Sequence, residues 1–381
     1  STRSFGNSAD TSNDLRSMTR TIIPVPLGER SYRIYAGAGM LSQLGPTLRR
    51  HGIGRHVAVV TDATVGMLYL ARVQGHLRRH GFQGVSVTVP AGERQKSLAV
   101  VHAVAGALLE HGIGRDGAIL ALGGGVIGDL AGFVAATYQR GIALVQMPTT
   151  LLAQVDSSIG GKVGVNHPLG KNMIGAFHQP RLVWADASLL RTLPAREVVC
   201  GLGEVIKSAI IRDPKLFGWL ESHLPDVLRL RPAAVHHVQT RCARIKAMIT
   251  SADEREQGLR MILNHGHTVG HALEAAGEFR ALKHGEAVLL GMAAECFIAH
   301  EMGLLSFTAY QRITNLIGRI PVRRPQLPVT DILDHMRHDK KNRKGKVRFL
   351  LPTRIGCVQV VEDVDMTLVA QSIRHTLRSP R

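Results

Sequence analysis

The sequence predicts two domains: an α/β domain in front, with a largely parallel Rossmann-like sheet, and a mostly α-helical domain behind. The active site is expected in the cleft between them. Three observations support this. In the first half, short β-branched runs alternate with helix-length segments, which implies crossovers and a parallel sheet. Beyond about residue 190 the apolar spacing turns helical. A chain of 381 residues, 45% of them hydrophobic, is long and apolar enough to build two cores.

In chain order, residues 1–18 are rich in Ser, Thr, Asn and Arg and lack the apolar centre of a signal peptide, so a disordered leader is expected. The α/β domain is expected over residues 19–190. His56 to Thr61 reads as a strand, Val65 to His80 as a helix, Val85 to Val89 as a strand and Ser97 to His111 as a helix. Ala118 to Leu122 is a strand, Leu130 to Tyr138 a helix and Ile142 to Met147 a strand. From Pro148 to Phe177 runs a stretch dense in glycine and polar residues, expected to be a long functional inter-domain loop. The second domain, residues 191–381, is expected to hold helices at Ala195–Ile211, Ala233–Ala252, Thr268–Ala276 and Glu286–Met302. Short β-like pieces follow near Val347–Leu350 and Val358–Val360.

Composition narrows the function classes. No apolar run reaches membrane-spanning length; the most apolar stretch, Gly117 to Ala136, carries Asp129 in its middle. Four widely spaced cysteines form no CxxC pair, which fits a reducing cytoplasm. The net charge of +18 admits either an anionic substrate or nucleic acid. Basic residues are scattered, however, and the one dense run, Lys340 to Lys346, has no interleaved aromatics for base stacking. No nucleic-acid or membrane partner is therefore expected, and a nucleic-acid-binding protein is the competing class.

Several motifs carry chemistry. Asn264-His265-Gly266-His267-Thr268-Val269-Gly270-His271 holds three histidines, with His284 downstream and Glu204 upstream. Imidazoles plus one carboxylate are the ligand set of a catalytic zinc site. On spacing alone, His267 and His271 pair as i and i+4 on one helical face. Gly123-Gly124-Gly125-Val126-Ile127-Gly128-Asp129 follows a strand and opens a helix, the context in which G-x-G-x-x-G cradles a pyrophosphate. A close-packed glycine turn is the plainer reading of the same residues. Asp62 ends an earlier strand, where a carboxylate favours NAD over NADP; as a helix N-cap it would need no ligand. Glu93 and Lys96 are three apart at a loop-to-helix junction and can share a face, as in any surface ion pair. Lys162 and Lys171, with Arg140, offer cations for a phosphate or carboxylate.

The conjunction is more specific than any one motif. The glycine loop comes first, then Pro-Thr-Thr-Leu-Leu-Ala-Gln-Val-Asp-Ser-Ser-Ile-Gly-Gly-Lys (148–162) and Lys171-Asn172. Gly-Glu-Val-Ile-Lys (203–207), Leu-Asn-His-Gly-His-Thr-Val-Gly-His (263–271) and His-Gly-Glu (284–286) follow in order. Together, over about residues 20–370, they resemble the 3-dehydroquinate synthase family of the shikimate pathway. The resemblance implies a homodimeric cyclase that converts the seven-carbon sugar acid phosphate DAHP into 3-dehydroquinate and phosphate. The implied route is oxidation by NAD, β-elimination of phosphate, reduction, ring opening and intramolecular aldol closure.

Carried over residue by residue, the resemblance makes Glu204, His267 and His284 ligands of a zinc or cobalt ion and sets His271 near the phosphate. It assigns Arg140, Asp156, Lys162, Asn172, Lys207, Lys246, Arg260 and Asn264 to the substrate pocket. It places Asp62, Glu93, Lys96, Gly124, Gly125, Asp129, Thr149, Thr150 and Lys171 around NAD, and a lysine of the Asp339-Lys340-Lys341 run, Lys340 in preference to Lys341, at the phosphate. His265 stands where the family usually has a large apolar residue; a packing substitution is expected there, with tuning of the metal as the alternative. Cyclases acting on sedoheptulose 7-phosphate and glycerol-type metal-dependent dehydrogenases are the related alternatives.

Overall fold

The computed structural model describes residues 20–337 and 347–378. Among the described residues, nine strands lie in the first half: β1 (Thr21–Val25), β2 (Tyr32–Gly37), β3 (His56–Asp62), β4 (Gln83–Val89), β5 (Ala118–Gly123), β6 (Ala143–Pro148), β7 (Lys162–His167), β8 (Gly170–Phe177) and β9 (Leu182–Asp186). Seven of them form one sheet in the order β1-β2-β9-β6-β5-β3-β4, and every pairing except β1–β2 is parallel.

Both faces of this sheet are covered, as parallel pairing requires. Val57 and Val59 of β3 join Leu44, Leu48, Val73, Leu77 and Trp184 in one core. Ala58 and Val60, pointing the other way, join Val104, Leu108, Leu130 and Val134. That alternation is the period-2 geometry of a strand. From the neighbouring strands β3 and β5 the chain leaves in opposite directions, to β4 on one side and β6 on the other. Such a switch point opens a crevice at the carboxyl ends, where Asp62 and Gly123–Gly125 stand.

The chain divides into two compact units. The first runs to Leu193 and takes in Arg229–Ala243; the second comprises Pro194–Leu228 and the chain from Arg244 onward. The segment 229–243, expected with the second domain, therefore packs with the first. The second unit is built on the helices Ala195–Arg212, Pro214–Leu228, His267–Ala276, His284–Glu301, Phe307–Gly318, Val329–Arg337 and Met366–Arg378. It also holds a hairpin of β10 (Phe349–Arg354) and β11 (Cys357–Val361). His284–Glu301 is its central helix, buried from Gly285 to Met292 and again from Ala294 to Ala299. No helix among the described residues is long and apolar enough to cross a membrane.

Two expectations need correcting. The stretch 148–177 is no open loop: Ala153–Ser157 is a π-helical turn and β7–β8 is an antiparallel hairpin, all within the first unit. The helix after the glycine loop begins at Gly125, five residues before the expected Leu130, because the glycines themselves form its first turn. Strands β1, β2 and β9 and the helices at 214–228, 307–318, 329–337 and 366–378 were not foreseen. The expected leader lies outside the described residues, as does Lys340.

Candidate active site

Three helices of the second unit converge on one point. Glu204 comes from Ala195–Arg212, His267 from the first turn of His267–Ala276, and His284 from the first turn of His284–Glu301. Glycines let these helices approach. A Cβ on Gly203 would fall 2.5 Å from the Gly285 carbonyl oxygen, and one on Gly291 only 2.0 Å from that of Gly266. Backbone contact at these points leaves the neighbouring side chains, Glu204, His284 and His267, facing one another.

Their orientation is fixed from behind. His284 Nδ1 lies 3.0 Å from Glu274 Oε2, and His267 Nδ1 lies 3.1 Å from the His265 carbonyl oxygen. Both partners are acceptors, so each Nδ1 carries a proton and each Nε2 points at the site, where it presents a lone pair once its ring is neutral. Both Nε2 atoms stand 3.6 Å from Glu204 Oε1. That is too long for a hydrogen bond, and buried Oε1 makes none. Two ligands at about 2.0–2.2 Å from one tetrahedral ion lie roughly 3.3–3.5 Å apart, so the spacing fits a metal held between them. Two nitrogens and an oxygen suit zinc or cobalt. His271, Glu274 and His284 form a second, overlapping cluster.

Charge is concentrated here. Glu204 is 1% exposed and takes the Lys207 ammonium at Oε2. Burial raises its pKa, but Lys207 and then His284 outweigh burial and bring it down to about 2. For His284, burial lowers the pKa, yet the neighbouring Glu204 and Glu274 carboxylates lift it to about 9. The Cys200 thiol nearby is pushed by burial up to about 12, which keeps it protonated and un-nucleophilic at neutral pH.

The other candidates of this unit are placed as follows. His271 lies one turn after His267, ring centroids 5.2 Å apart, and 5.9 Å from His284. Lys246 and Arg260 are buried, and the Arg260 backbone N–H donates to Asp253. Asn264 Nδ2 donates to Glu256 at 2.9 Å.

The first unit brings together a second set. Lys96, 5% exposed, donates both to Asp129 Oδ2 and to Asn172 Oδ1. Glu93 accepts from Asn166 Nδ2 at 2.8 Å, and Asn166 Oδ1 accepts the Asn172 backbone N–H at 2.9 Å. Glu93 and Lys96 thus turn to different partners instead of sharing a face. The connector Asn166 was missed as a site residue; only the hairpin, hidden in an apparent loop, brings it here.

The glycine loop is the close-packed turn of its plainer reading, and it also opens a helix. Gly124 lacks room for a side chain, since a Cβ would sit 2.9 Å from Thr150 Cγ2. It also caps the helix Gly125–Thr137 without any side-chain bond, which leaves N–H groups directed outward. Thr149 is buried, its backbone N–H bonded to Gly123 O; Thr150 Oγ1 accepts from Ala153 N. Asp62 Oδ1 accepts from Thr64 N and Val65 N, so it does act as a helix N-cap. Asp156 and Lys171 are half-buried, and Arg140 and Lys162 are exposed.

Comparison with known proteins now bears on these clusters. Residues 86–200 match the pattern described as 3-dehydroquinate synthase N-terminal, and residues 201–342 match 3-dehydroquinate synthase C-terminal. The chain belongs to the 3-dehydroquinate synthase family. A 3-dehydroquinate synthase of Desulforamulus reducens is 47% identical over 345 residues, covering 90% of this chain and 96% of that protein. One from Acidithiobacillus ferrooxidans is 47% identical over 355 residues, covering 92% and 96%. Among solved structures, 2-deoxy-scyllo-inosose synthase, complexed with carbaglucose-6-phosphate, NAD+ and Co2+, superposes with a TM-score of 0.85 at 26% identity, covering 93% of this chain and 100% of that one. The 2-epi-5-epi-valiolone synthase of Streptomyces hygroscopicus, with NAD+ and Zn2+ bound, gives 0.83 at 30% identity, covering 92% and 98%. A probable glycerol dehydrogenase of Sinorhizobium meliloti, at 16% identity and TM-score 0.59 with 89% and 94% covered, shares the fold alone. Within the 3-dehydroquinate synthase family, the dehydrogenase reading thus has no support beyond architecture.

Proposed function

We propose that the chain is a phosphate-eliminating carbon–oxygen lyase that converts DAHP into 3-dehydroquinate and phosphate. NAD and a zinc or cobalt ion serve as its cofactors. Family membership over most of the chain supports the activity, and the Glu204–His267–His284 trio is the observation that supports the metal most directly.

Glu204, His267 and His284 would hold the ion, which would supply Lewis acidity for the substrate hydroxyls, and NAD would supply a reversible hydride acceptor. The chain's own residues bind and orient. His267 and His284 present Nε2 with the tautomer fixed by His265 O and Glu274, and Lys207 balances the charge of Glu204. In this reading Lys246, Arg260, Asn264, Lys162, Arg140, Asn172 and Asp156 hold the substrate's phosphate, carboxylate and hydroxyls, with Lys340 as a further phosphate cation. His271 faces the phosphate, where an imidazole can steady the departing oxygen or pass it a proton. Asp62, Glu93, Lys96, Gly124, Gly125, Asp129, Thr149, Thr150 and Lys171 surround NAD, with the uncapped helix start at Gly125 toward its pyrophosphate.

A second copy of the chain is the partner the family implies, which sedimentation velocity tests. Four cysteines without a disulfide fit a reducing cytoplasm.

The decisive assay supplies DAHP, NAD and cobalt or zinc and measures inorganic phosphate. Release that stops on chelation and returns with metal is expected. Metal-replete protein that releases phosphate from sedoheptulose 7-phosphate but not from DAHP would instead select the related cyclases.

A further inference from the structure

His265 was expected to be a packing substitution, yet its ring makes specific polar contacts. The residue is fully buried, and so is Glu295 on the helix His284–Glu301. His265 Nδ1 lies 2.9 Å from Glu295 Oε2 and 2.7 Å from the Leu350 carbonyl oxygen. Both neighbours accept, so Nδ1 carries the proton and His265 is a donor here. The same Oε2 also accepts the Gly266 backbone N–H at 2.7 Å. One carboxylate oxygen therefore ties down two successive residues of the turn before His267.

That turn has little freedom of its own. Gly266 sits at φ +79°, a left-handed conformation, and caps the helix His267–Ala276 without any side-chain bond. It lies against the central helix so closely that a Cβ would meet Met292 Cγ at 2.5 Å. The carbonyl that orients His267 belongs to His265 itself. Whatever fixes the 265–266 peptide therefore fixes the direction of His267 Nε2.

We propose that His265 and Glu295 are positioning residues for His267. The Glu295 carboxylate, held in place by the His265 N–H, anchors the Gly266 N–H. It thereby aims the His265 carbonyl at His267 Nδ1. This rests on Glu204, His267 and His284 being the metal site. A buried carboxylate is costly unless bonded, so loss of either partner should disturb the other.

The test measures Co(II) affinity by calorimetry, and ligand geometry by the visible absorption of the cobalt protein. Melting temperature and NAD binding serve as controls for folding. Glu295→Ala and His265→Phe are each expected to weaken Co(II) binding about 10–100-fold and to shift the cobalt spectrum, with NAD affinity kept. Glu295→Gln retains an acceptor oxygen, and His265→Asn retains a donor at the place of Nδ1. Both should stay within about threefold of wild type, on the tenfold-or-more scale of such positioning effects.

His267→Ala separates this inference from the reading beneath it. If His267→Ala loses metal while Glu295→Ala binds Co(II) with wild-type affinity and spectrum, the positioning role is overturned. Should Glu295→Ala not fold, equal impairment of His265→Asn and His265→Phe overturns it as well. Undiminished metal binding by His267→Ala would overturn the metal site itself, and the positioning role with it.

Discussion

Glu204 and His284 hold each other in their charged forms, and pH acts on them from opposite ends. His284 has a pKa raised from 6.5 to about 9, so the stability it lends the metal-free chain is complete below 6.5 and fades as pH rises through about 9. Glu204 has one lowered from 4.5 to about 2, so its contribution is complete above 4.5 and fades as pH falls through about 2. Both contributions are whole only between 4.5 and 6.5. Metal binding runs against the first of them, because an imidazolium offers no lone pair. Affinity should therefore rise with pH towards about 9, and each ion bound near pH 7.5 should release about one proton. Calorimetry in buffers of differing ionisation enthalpy measures that proton, and its absence would contradict the assignment of His284. His271→Ala should reduce turnover about 100-fold or more while bound metal, read by elemental analysis, is largely kept. At this scale the sequence was readable in part. Spacing alone paired His267 with His271; the partners that complete the trio lie on other helices, beyond the reach of an i, i+4 argument.

Two pairs of glycines set the elements where the chemistry needs them. Gly203 and Gly285 allow the helices of Glu204 and His284 to touch at the backbone. Gly203→Ala should cost about 1–3 kcal/mol through overpacking and weaken metal binding at the same time. Chemical denaturation with and without cobalt separates the two effects. Gly164 and Gly175 face each other across β7 and β8, and a Cβ on either would fall within 2.5 Å of the opposite strand's carbonyl oxygens. This is why residues 148–177 read as a loop: the glycine content that signals irregular chain here serves a close strand pair. The hairpin carries Asn166 and Asn172 to Glu93 and Lys96, links no local pattern reveals. Asn166→Ala should release that end of the hairpin and raise the NAD dissociation constant about tenfold, the effect of one lost polar contact of roughly 1.4 kcal/mol. Nicotinamide-fluorescence titration checks it, and unchanged affinity would remove the hairpin from the cofactor site. Strands β3 to β6 were legible because alternation and helix-length spacing repeat there. β1, β2 and β9 lie outside that rhythm.

Across the molecule, the second unit gathers all three proposed metal ligands, so its stability should follow metal occupancy. Dialysis against chelator should lower the transition assigned to it, and cobalt at about 100 times its dissociation constant should restore about 2.7 kcal/mol. Calorimetric scans read this as a shift in one of two transitions, since two units with separate cores need not melt as one. The fold class was legible because strand–helix alternation in front and helices behind are properties of long segments. The excursion of residues 229–243 was not, because a helix carries no mark of which core it joins. That excursion has a consequence for synthesis. Gln154 is fully buried, bonded to the carbonyls of Pro148 and Asp186, and it takes the Gln239 amide at its own oxygen. Val235 and Val238 on the same returning segment are buried as well. On the ribosome the first unit therefore waits for its last helix until the 35 residues of 194–228 have also emerged. A fragment ending at Leu193 would have every strand of the sheet but expose that seam, and the nascent chain must keep it from aggregating until residue 243 arrives.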